Sequence, residues 1–162
     1  MTTPRGEIEN CIRQRSDALL QVAVRRFCYI GETVVNHARN LPSPNAAKLL
    51  ENSKRVPPHQ PNYIDWTANL RSSIGYKVAV DGQIVSTSGF QQVGQGSEGS
   101  KGGQKLADEI IAQHPRGIVL VVVAGMTYAK YVTSRGYDVI DSAEVLTDKM
   151  INEFVNKLRQ QQ

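Results

Sequence analysis

The chain has 162 residues, of which 40% are hydrophobic and 21% are charged. This length fits one domain with a substantial core, and the composition is that of a globular protein, not of a disordered or fibrous one. The first ten residues hold charges and no apolar run, so we expect no signal peptide, and no apolar segment approaches the ~20 residues of a membrane span.

The formal net charge of +4 is concentrated in the N-terminal third of the chain. Through Arg55 there are nine Lys and Arg against five Asp and Glu, and the remainder has ten of each. A nucleic-acid contact is therefore one open function. However, the basic residues are interleaved with acidic ones and no aromatic platform accompanies them, which favours a solvated helix face.

Apolar residues at helical spacing predict one long helix over residues 5–40. The main stripe consists of Ile8, Ile12, Leu19, Val22, Ala23, Phe27, Ile30, Val34, Ala38 and Leu41. A second, narrower stripe on another face consists of Val24, Cys28, Gly31 and Val35. Either another flank of the same domain covers this second stripe, or it contacts a neighbouring subunit. A glycine inside a helix costs ~1 kcal/mol relative to alanine, and close approach of another backbone would offset this cost.

Prolines end the long helix, so residues 41–64 are predicted to be a connector within a single domain that spans residues 1–162. An α+β core over residues 65–162 follows. It opens with a short helical turn, for which Asp65 and Thr67 are candidate caps.

Two strand-like runs, residues 74–80 and 83–90, are joined by Asp81-Gly82. This dipeptide predicts a hairpin with a type I′ turn, because both central residues of that turn need positive φ. Residues 91–103 are polar and glycine-rich, and we predict a mobile loop there. A helix is then predicted around residues 106–111, ending before Pro115.

The stretch from residue 117 to residue 140 is predicted to form a β-α-β unit. Residues 118–124 (IVLVVVA) are a β-branched run between two glycines, typical of a strand buried on both faces. A two-turn helix follows Thr127 and stops at Gly136, and residues 137–140 are predicted to be a fourth strand. A C-terminal helix, opened by Asp141, completes a sheet of about four strands with two long helices.

Two segments resemble a known family. Residues 127–132 (TYAKYV) with residues 135–137 (RGY) resemble the YAxYVExG signature of tailed-bacteriophage tail-completion proteins, which join head to tail at the neck. Residues 67–74 (TANLRSSI) resemble the TGxLRxSI segment of the same family. Thr133 stands where the family usually has Glu, and Ala68 where it usually has Gly. We call residues 67–74 and 127–137 the first and second signature segments.

The resemblance implies a structural protein of the virion, made in the host cytoplasm and assembled as a homo-oligomeric ring, with a hexamer expected from that family. Its partners would be the tail tube protein or head-side connector proteins, with DNA only as cargo passing through the ring. The expected subunit contacts are the second stripe (Val24, Cys28, Gly31 and Val35) together with Tyr128 and Tyr131, which share a helix face.

No constellation of residues predicts an enzyme, a cofactor or a metal site. His37, His59 and His114 are scattered without ligand spacing, and Cys11 and Cys28 lie 17 positions apart on one helix, roughly 25 Å, too far to bridge. Residues 94–99 match GxGxxG, but this match follows the second strand of the hairpin and does not directly open the predicted helix. A small nucleotide-binding protein is therefore kept only as an alternative.

Overall fold

The computed structural model describes residues 4–41, 63, 65 and 67–160. Within them the chain forms α1 (Pro4–Arg39), α2 (Asn69–Ser72), β1 (Ile74–Val80), β2 (Gln83–Gly89), α3 (Ser97–Ala112), β3 (Ile118–Ala124), α4 (Ala129–Ser134) and α5 (Asp141–Gln160). The predicted α+β class with a long N-terminal and a C-terminal helix is confirmed. The predicted connector, residues 41–64, lies outside the described residues apart from its two ends at Leu41 and Tyr63.

The sheet of the described residues has three strands in the order β2-β1-β3, and both pairings are antiparallel. Asp81 and Gly82 have φ of 49° and 79°, the positive values that a type I′ turn requires, so the predicted hairpin is confirmed. The turn is also tied to the start of β3. Asp81 donates its N–H to the Gly117 carbonyl (2.9 Å), and its carboxylate accepts the Gly117 N–H (2.8 Å).

Helices cover both faces of the sheet, so the central strand β1 is buried on each side. Ile74, Tyr76 and Val78 belong to a core shared with α1 and α5, whereas Ala79 packs in a second core with α3. The β-branched residues of β3 likewise divide between the two cores. The arrangement is three-layered: α1 and α5, then the sheet, then α3.

One charged side chain is buried on the α3 face of β1. Lys77 is only 6% exposed, and its ammonium donates to the Asp108 carboxylate at 2.6 Å. Because an unpaired charge at this depth would cost several kcal/mol, Asp108 fixes which turn of α3 lies over the centre of the sheet.

Two predictions about secondary structure are wrong. Residues 137–140 do not form a fourth strand. Val139 is buried in a small cluster with Tyr63 and Leu70, and the Asp138 carboxylate accepts the Ser142 N–H (3.2 Å) at the start of α5. This segment therefore serves as the entry to a helix, and the β-α-β unit does not exist.

The predicted glycine-rich loop, residues 91–103, is also shorter than expected. Its second half is the beginning of α3, which starts at Ser97. The error comes from treating Gly99, Gly102 and Gly103 as helix-breaking. Two of them, Gly99 and Gly103, are buried where α3 approaches the α2–β1 corner, and that packing offsets their poor helix propensity.

α1 is much longer than the body that it covers. α5 packs along it with His37 hydrogen-bonded to Ser142 (2.8 Å) and with the Phe27 and Phe154 rings edge to face at 6.5 Å. Since α5 ends at Gln160, six residues past Phe154, its last turn is level with about residue 21 of α1. The N-terminal half of α1 therefore extends beyond the other described elements, and Ile8, Ile12 and Leu19, predicted to be core, are about 60% exposed.

Among the described helices, none combines the length and the apolar character needed to cross a membrane.

The Gly31–Tyr76 contact gives a test of how α1 lies on the sheet. A Cβ at Gly31 would lie 2.5 Å from Tyr76 Cδ2, so Gly31→Ala should destabilise the protein by about 1–3 kcal/mol through overpacking, despite the better helix propensity of alanine. Denaturant unfolding followed by circular dichroism measures this. In a Tyr76→Leu background the same substitution should cost less, and equal costs in both backgrounds would contradict the contact.

Candidate functional site

The two signature segments lie against each other in the fold, although about sixty positions separate them in sequence. Leu70, in the first segment, is 1% exposed and belongs to a cluster on which Ala129 and Val132 of the second segment pack. The groups that shift the pKa of the Tyr128 hydroxyl belong to or precede the first segment: after burial, Asp65 raises this pKa, and Thr67 and the Leu70 backbone lower it. We call this junction the candidate site.

Asp65 organises the first segment. Its carboxylate accepts the backbone N–H of Arg71 at 2.8 Å, and the Thr67 hydroxyl accepts the N–H of Asn69 at 3.3 Å. The N-cap position of α2 is Ala68, which makes no side-chain cap, so the two predicted candidates hold N–H groups of the turn from outside the N-cap position. Burial raises the pKa of Asp65 above its usual 3.8, while hydrogen bonds from the backbone N–H groups of residues 68–71 oppose the rise.

The chain turns sharply at Ala68, whose φ is 59°. This left-handed conformation is costly for any residue with a Cβ and is favoured by glycine. It is also the position at which the resembled family usually has glycine. In the second segment Gly136 has φ of 84°, which is the helix-ending conformation predicted for it.

Two serines close the corner between α2 and β1. Both are fully buried: the Ser72 hydroxyl accepts the Val93 N–H (2.9 Å), and the Ser73 hydroxyl donates to the Leu70 carbonyl (2.7 Å). The Ser73 bond lies within the corner, and the Ser72 bond joins the corner to the segment before α3. These bonds support a role of these serines in holding the corner.

The glycines of the GxGxxG match lie against this corner. A Cβ at Gly96 would collide with the Ser72 hydroxyl, and one at Gly99 would collide with the Asn69 carbonyl. The side-chain oxygen of Asn69 accepts the Gly99 N–H at 3.1 Å, in the first turn of α3. The glycine spacing therefore allows α3 to approach the first signature segment, and Asn69 takes the place at this helix end where a phosphate would bind.

Of the two tyrosines predicted at a subunit contact, Tyr131 is the more exposed. It is 58% exposed and Tyr128 is 37% exposed. The Arg135 guanidinium lies 4.9 Å from the centre of the Tyr131 ring and donates to its hydroxyl. Burial, then the Asp65 carboxylate, raises the pKa of Tyr128. Both rings border the candidate site and are available to a partner.

A buried phenol that sequence reasoning missed lies beneath this surface. Tyr63 is 3% exposed, and its hydroxyl has no hydrogen-bond partner among the described residues. Burial, followed by the Asp65 carboxylate, raises its pKa, whereas Arg71 and Arg39 lower it. Its only sequence signal was its position just before Asp65, at the end of the predicted connector.

The proposed subunit role of the second stripe is wrong for its C-terminal half. Val35 is 2% exposed within the core of its own chain, and Gly31 is buried against the Tyr76 ring. Cys28 is half-buried and packs on the same core, which leaves only Val24, also half-buried, without an assigned core neighbour. For Gly31 and Val35 the other alternative applies: a second flank of the domain covers them, since Gly31 lies against Tyr76 of β1 and Val35 lies near Gly89 of β2.

Other potential sites are few. Cys11 and Cys28 are both free thiols, and no three His, Cys, Asp or Glu side chains of the described residues converge as metal ligands. A cavity of about 230 Å³, which sequence reasoning did not predict, lies between α1, β3 and α5. It is lined by Val34, Leu120, Val122, Ile140, Ala143, Glu144, Thr147 and Asp148.

Comparison of the chain with models of protein families, with characterised proteins and with solved structures gives no match.

The raised pKa of Asp65 predicts a pH dependence. The folded state holds this proton to a higher pH than the unfolded state does, so the contribution of Asp65 to stability falls as pH rises through 3.8 towards the folded pKa. The free energy of unfolding of the wild type, minus that of Asp65→Asn, should therefore decrease over this interval and then level off. Chemical denaturation at a series of pH values measures it; a difference that rises with pH would contradict the assignment.

Proposed function

We propose that this protein is a structural component of a phage-like virion. In it, a ring of identical subunits caps the tail tube or joins tail to head. The observation that carries the proposal is the spatial junction of the two signature segments. Each resembles the same family separately, and they meet through Leu70, Ala129 and Val132 and through Tyr128 beside Asp65.

The backbone at Ala68 supports the proposal independently. The family pattern has glycine there, and this chain adopts at that residue the left-handed conformation that glycine favours. The local geometry is thus the one that the family's glycine would permit, with alanine accepting some strain.

The chemistry of the junction supports a binding role. Its buried hydroxyls, carboxylate and amide are engaged mainly in holding backbone, as shown by Asp65, Ser72 and Asn69. The exposed groups are aromatic, and aromatic residues are enriched at the cores of protein interfaces. In the proposed assembly Tyr128 and Tyr131 contact a neighbouring subunit, a tail tube protein or a head-side connector protein, and DNA passes through the ring as cargo.

Substitution of Tyr131 tests the ring. Because Tyr131 is 58% exposed, Tyr131→Ala should keep the circular dichroism spectrum and shift the thermal midpoint little, while the ring is lost. Negative-stain electron microscopy and light scattering of the purified protein measure assembly. Lys130→Ala, at the exposed neighbouring position, is the control and should assemble normally. A wild type that never forms rings, alone or in particles, would refute the proposal.

The alternative of a nucleotide-binding protein is disfavoured by the geometry of α3. In a dinucleotide site the helix N-terminus presents free N–H groups to the pyrophosphate. Here the Gly99 N–H already donates to Asn69, and the glycines face the α2–β1 corner.

We therefore expect ATP, GTP and NAD to give no saturable heat in titration calorimetry at micromolar protein concentration. Asn69→Ala, which removes the side chain that accepts the Gly99 N–H, is titrated with the same nucleotides for comparison with the wild type. Saturable binding by the wild type would favour the nucleotide-binding alternative over the structural one.

A further inference from the structure

α1 carries a row of exposed apolar residues that differs from the second stripe and that the other described elements leave uncovered. We call this row the seam. The large hydrophobic residues of α1 that remain exposed are Ile8 (61%), Ile12 (61%), Leu19 (59%), Val22 (41%) and Tyr29 (57%). Their successive spacings are 4, 7, 3 and 7 residues. These are the spacings of a and d positions in a heptad repeat, with Ile12 and Leu19 at a and the other three at d.

We propose that this seam pairs with the same seam of a second copy of the chain, as an antiparallel two-stranded coiled coil centred near Asp17. The proposal does not rest on the ring described above. Three observations select this occupant and this orientation: the charges within the seam, the charges beside it, and the length of helix that is free.

The charges within the seam exclude a parallel pair in register. Arg15 and Arg26 occupy the remaining a and d positions between the apolar residues. A parallel pair would place each arginine against its own copy in the interface, and like charges in contact there are destabilising.

An antiparallel pair centred near Asp17 separates these arginines. In this register Ile12 lies opposite Val22 of the second copy, and Arg15 lies opposite Leu19. An aliphatic side chain of the second copy thus faces each arginine. The stem of Arg15 packs along Leu19, and its guanidinium reaches solvent. The short side chains of Ser16 and Ala18 flank the centre and permit close approach.

The charges beside the seam favour the same register. Glu7 and Glu9, next to Arg5, lie near one end of the seam, and Arg25 lies near the other. Centring the pair on Asp17 brings Glu7 and Glu9 of each helix level with Arg25 of its partner. Glu9 pairs with Arg5 of its own chain at 3.3 Å, and in the dimer Arg25 of the second copy would join this pair. The Arg26 Nε is buried without a hydrogen-bond acceptor among the described residues, and Glu9 of the second copy would be near its level.

The next possible register, one half-heptad towards the N-terminus, is disfavoured by the same reasoning. Its centre would lie between Arg13 and Gln14. It would therefore gather Arg13 and Arg15 of both copies into one group of four positive charges.

The seam runs from Arg5 to Tyr29 and is about 36 Å long at 1.5 Å per residue. α5 packs beside α1 from about residue 21 onward, but Val22 and Tyr29 stay exposed there, so the partner helix can lie on the uncovered side of α1. The N-terminal turn of each helix then reaches the exposed Tyr29 ring of the other copy, over which Arg26 already lies at 5.1 Å from the ring centre.

Disulfide cross-linking between singly substituted chains tests the orientation. In a Cys11→Ser, Cys28→Ser background, Ile12→Cys and Val22→Cys are prepared separately, mixed, and oxidised mildly. The antiparallel register brings residue 12 of one copy to residue 22 of the other, so the mixture should give a cross-linked dimer and each variant alone should give almost none. Self-cross-linking of Ile12→Cys would show a parallel pair and overturn the proposal, as would a mixture that fails to cross-link.

A charge substitution tests the pairing by mass. Leu19→Asp should lower the mass measured by light scattering, to that of one 17.9 kDa chain where the wild type is a simple pair. Gln21→Asp adds the same charge on the outward side of the helix and should leave the mass unchanged. Because Leu19 is exposed in the single chain, both variants should keep the circular dichroism spectrum.

The outcomes separate this inference from the ring. A Leu19→Asp protein of unchanged mass, or a wild type that is monomeric, would overturn the pairing. The seam would then be covered by another part of the chain or by another protein. Loss of rings in Tyr131→Ala with the cross-link between residues 12 and 22 retained would leave the pairing standing. Rings that form without the cross-link between residues 12 and 22 would overturn the pairing and leave the ring standing.

Discussion

The fold depends on α3 lying with its backbone directly against the α2–β1 corner. Gly96, Gly99 and Gly103 present no side chain at this contact, and a Cβ at any of them would collide with Ser72, Asn69 or Ser73. Gly125, at the end of β3, meets Gly103 in the same way. Four points of backbone contact therefore join a helix, a corner and a strand end, and side chains larger than hydrogen would push these elements apart.

This contact brings together the groups whose hydrogen bonds hold the candidate site. With α3 fixed, Asn69 reaches the first turn of that helix and Ser72 reaches the Val93 N–H. α3 therefore supports the first signature segment on one side, and the Asp65 carboxylate accepts the Arg71 N–H in its helical turn. The outer surface carries Tyr128, at the N-cap of α4, and Tyr131, within α4. The proposed assembly would use this surface.

Much of the fold could be predicted from the sequence, because local signals and burial agree there. The hairpin at Asp81-Gly82 and the buried strand β3 are examples, since a turn dipeptide and a β-branched run each have one favourable solution. The start of α3 could not be predicted, because glycine-rich segments are ordinarily loops and only the tertiary contact makes these glycines helical. Residues 137–140 look like a strand because Val139 and Ile140 are apolar, but that apolarity serves burial beside Leu70. The candidate site was recognised only as two separate motifs, since nothing local reveals that they touch.

The main stripe predicted for α1 runs along the whole helix, but the structure buries only its C-terminal part. Its core side has Phe27, Ile30, Val34 and Ala38 at an average spacing near the 3.6 residues of a helical turn, whereas its exposed seam repeats every 3.5. The two patterns drift apart by ~20° in each heptad. The two patterns lie on the same side of the helix near its N-terminus. By residues 29 and 30 they lie on different sides, since Tyr29 is 57% exposed and Ile30 is fully buried. A short stretch of sequence cannot distinguish these periods, but a helix of 36 residues can, once its buried end is known. Because each period fits a different kind of packing, the divergence itself indicates that α1 serves two contacts: the sheet at its C-terminal half, and another helix at its N-terminal half.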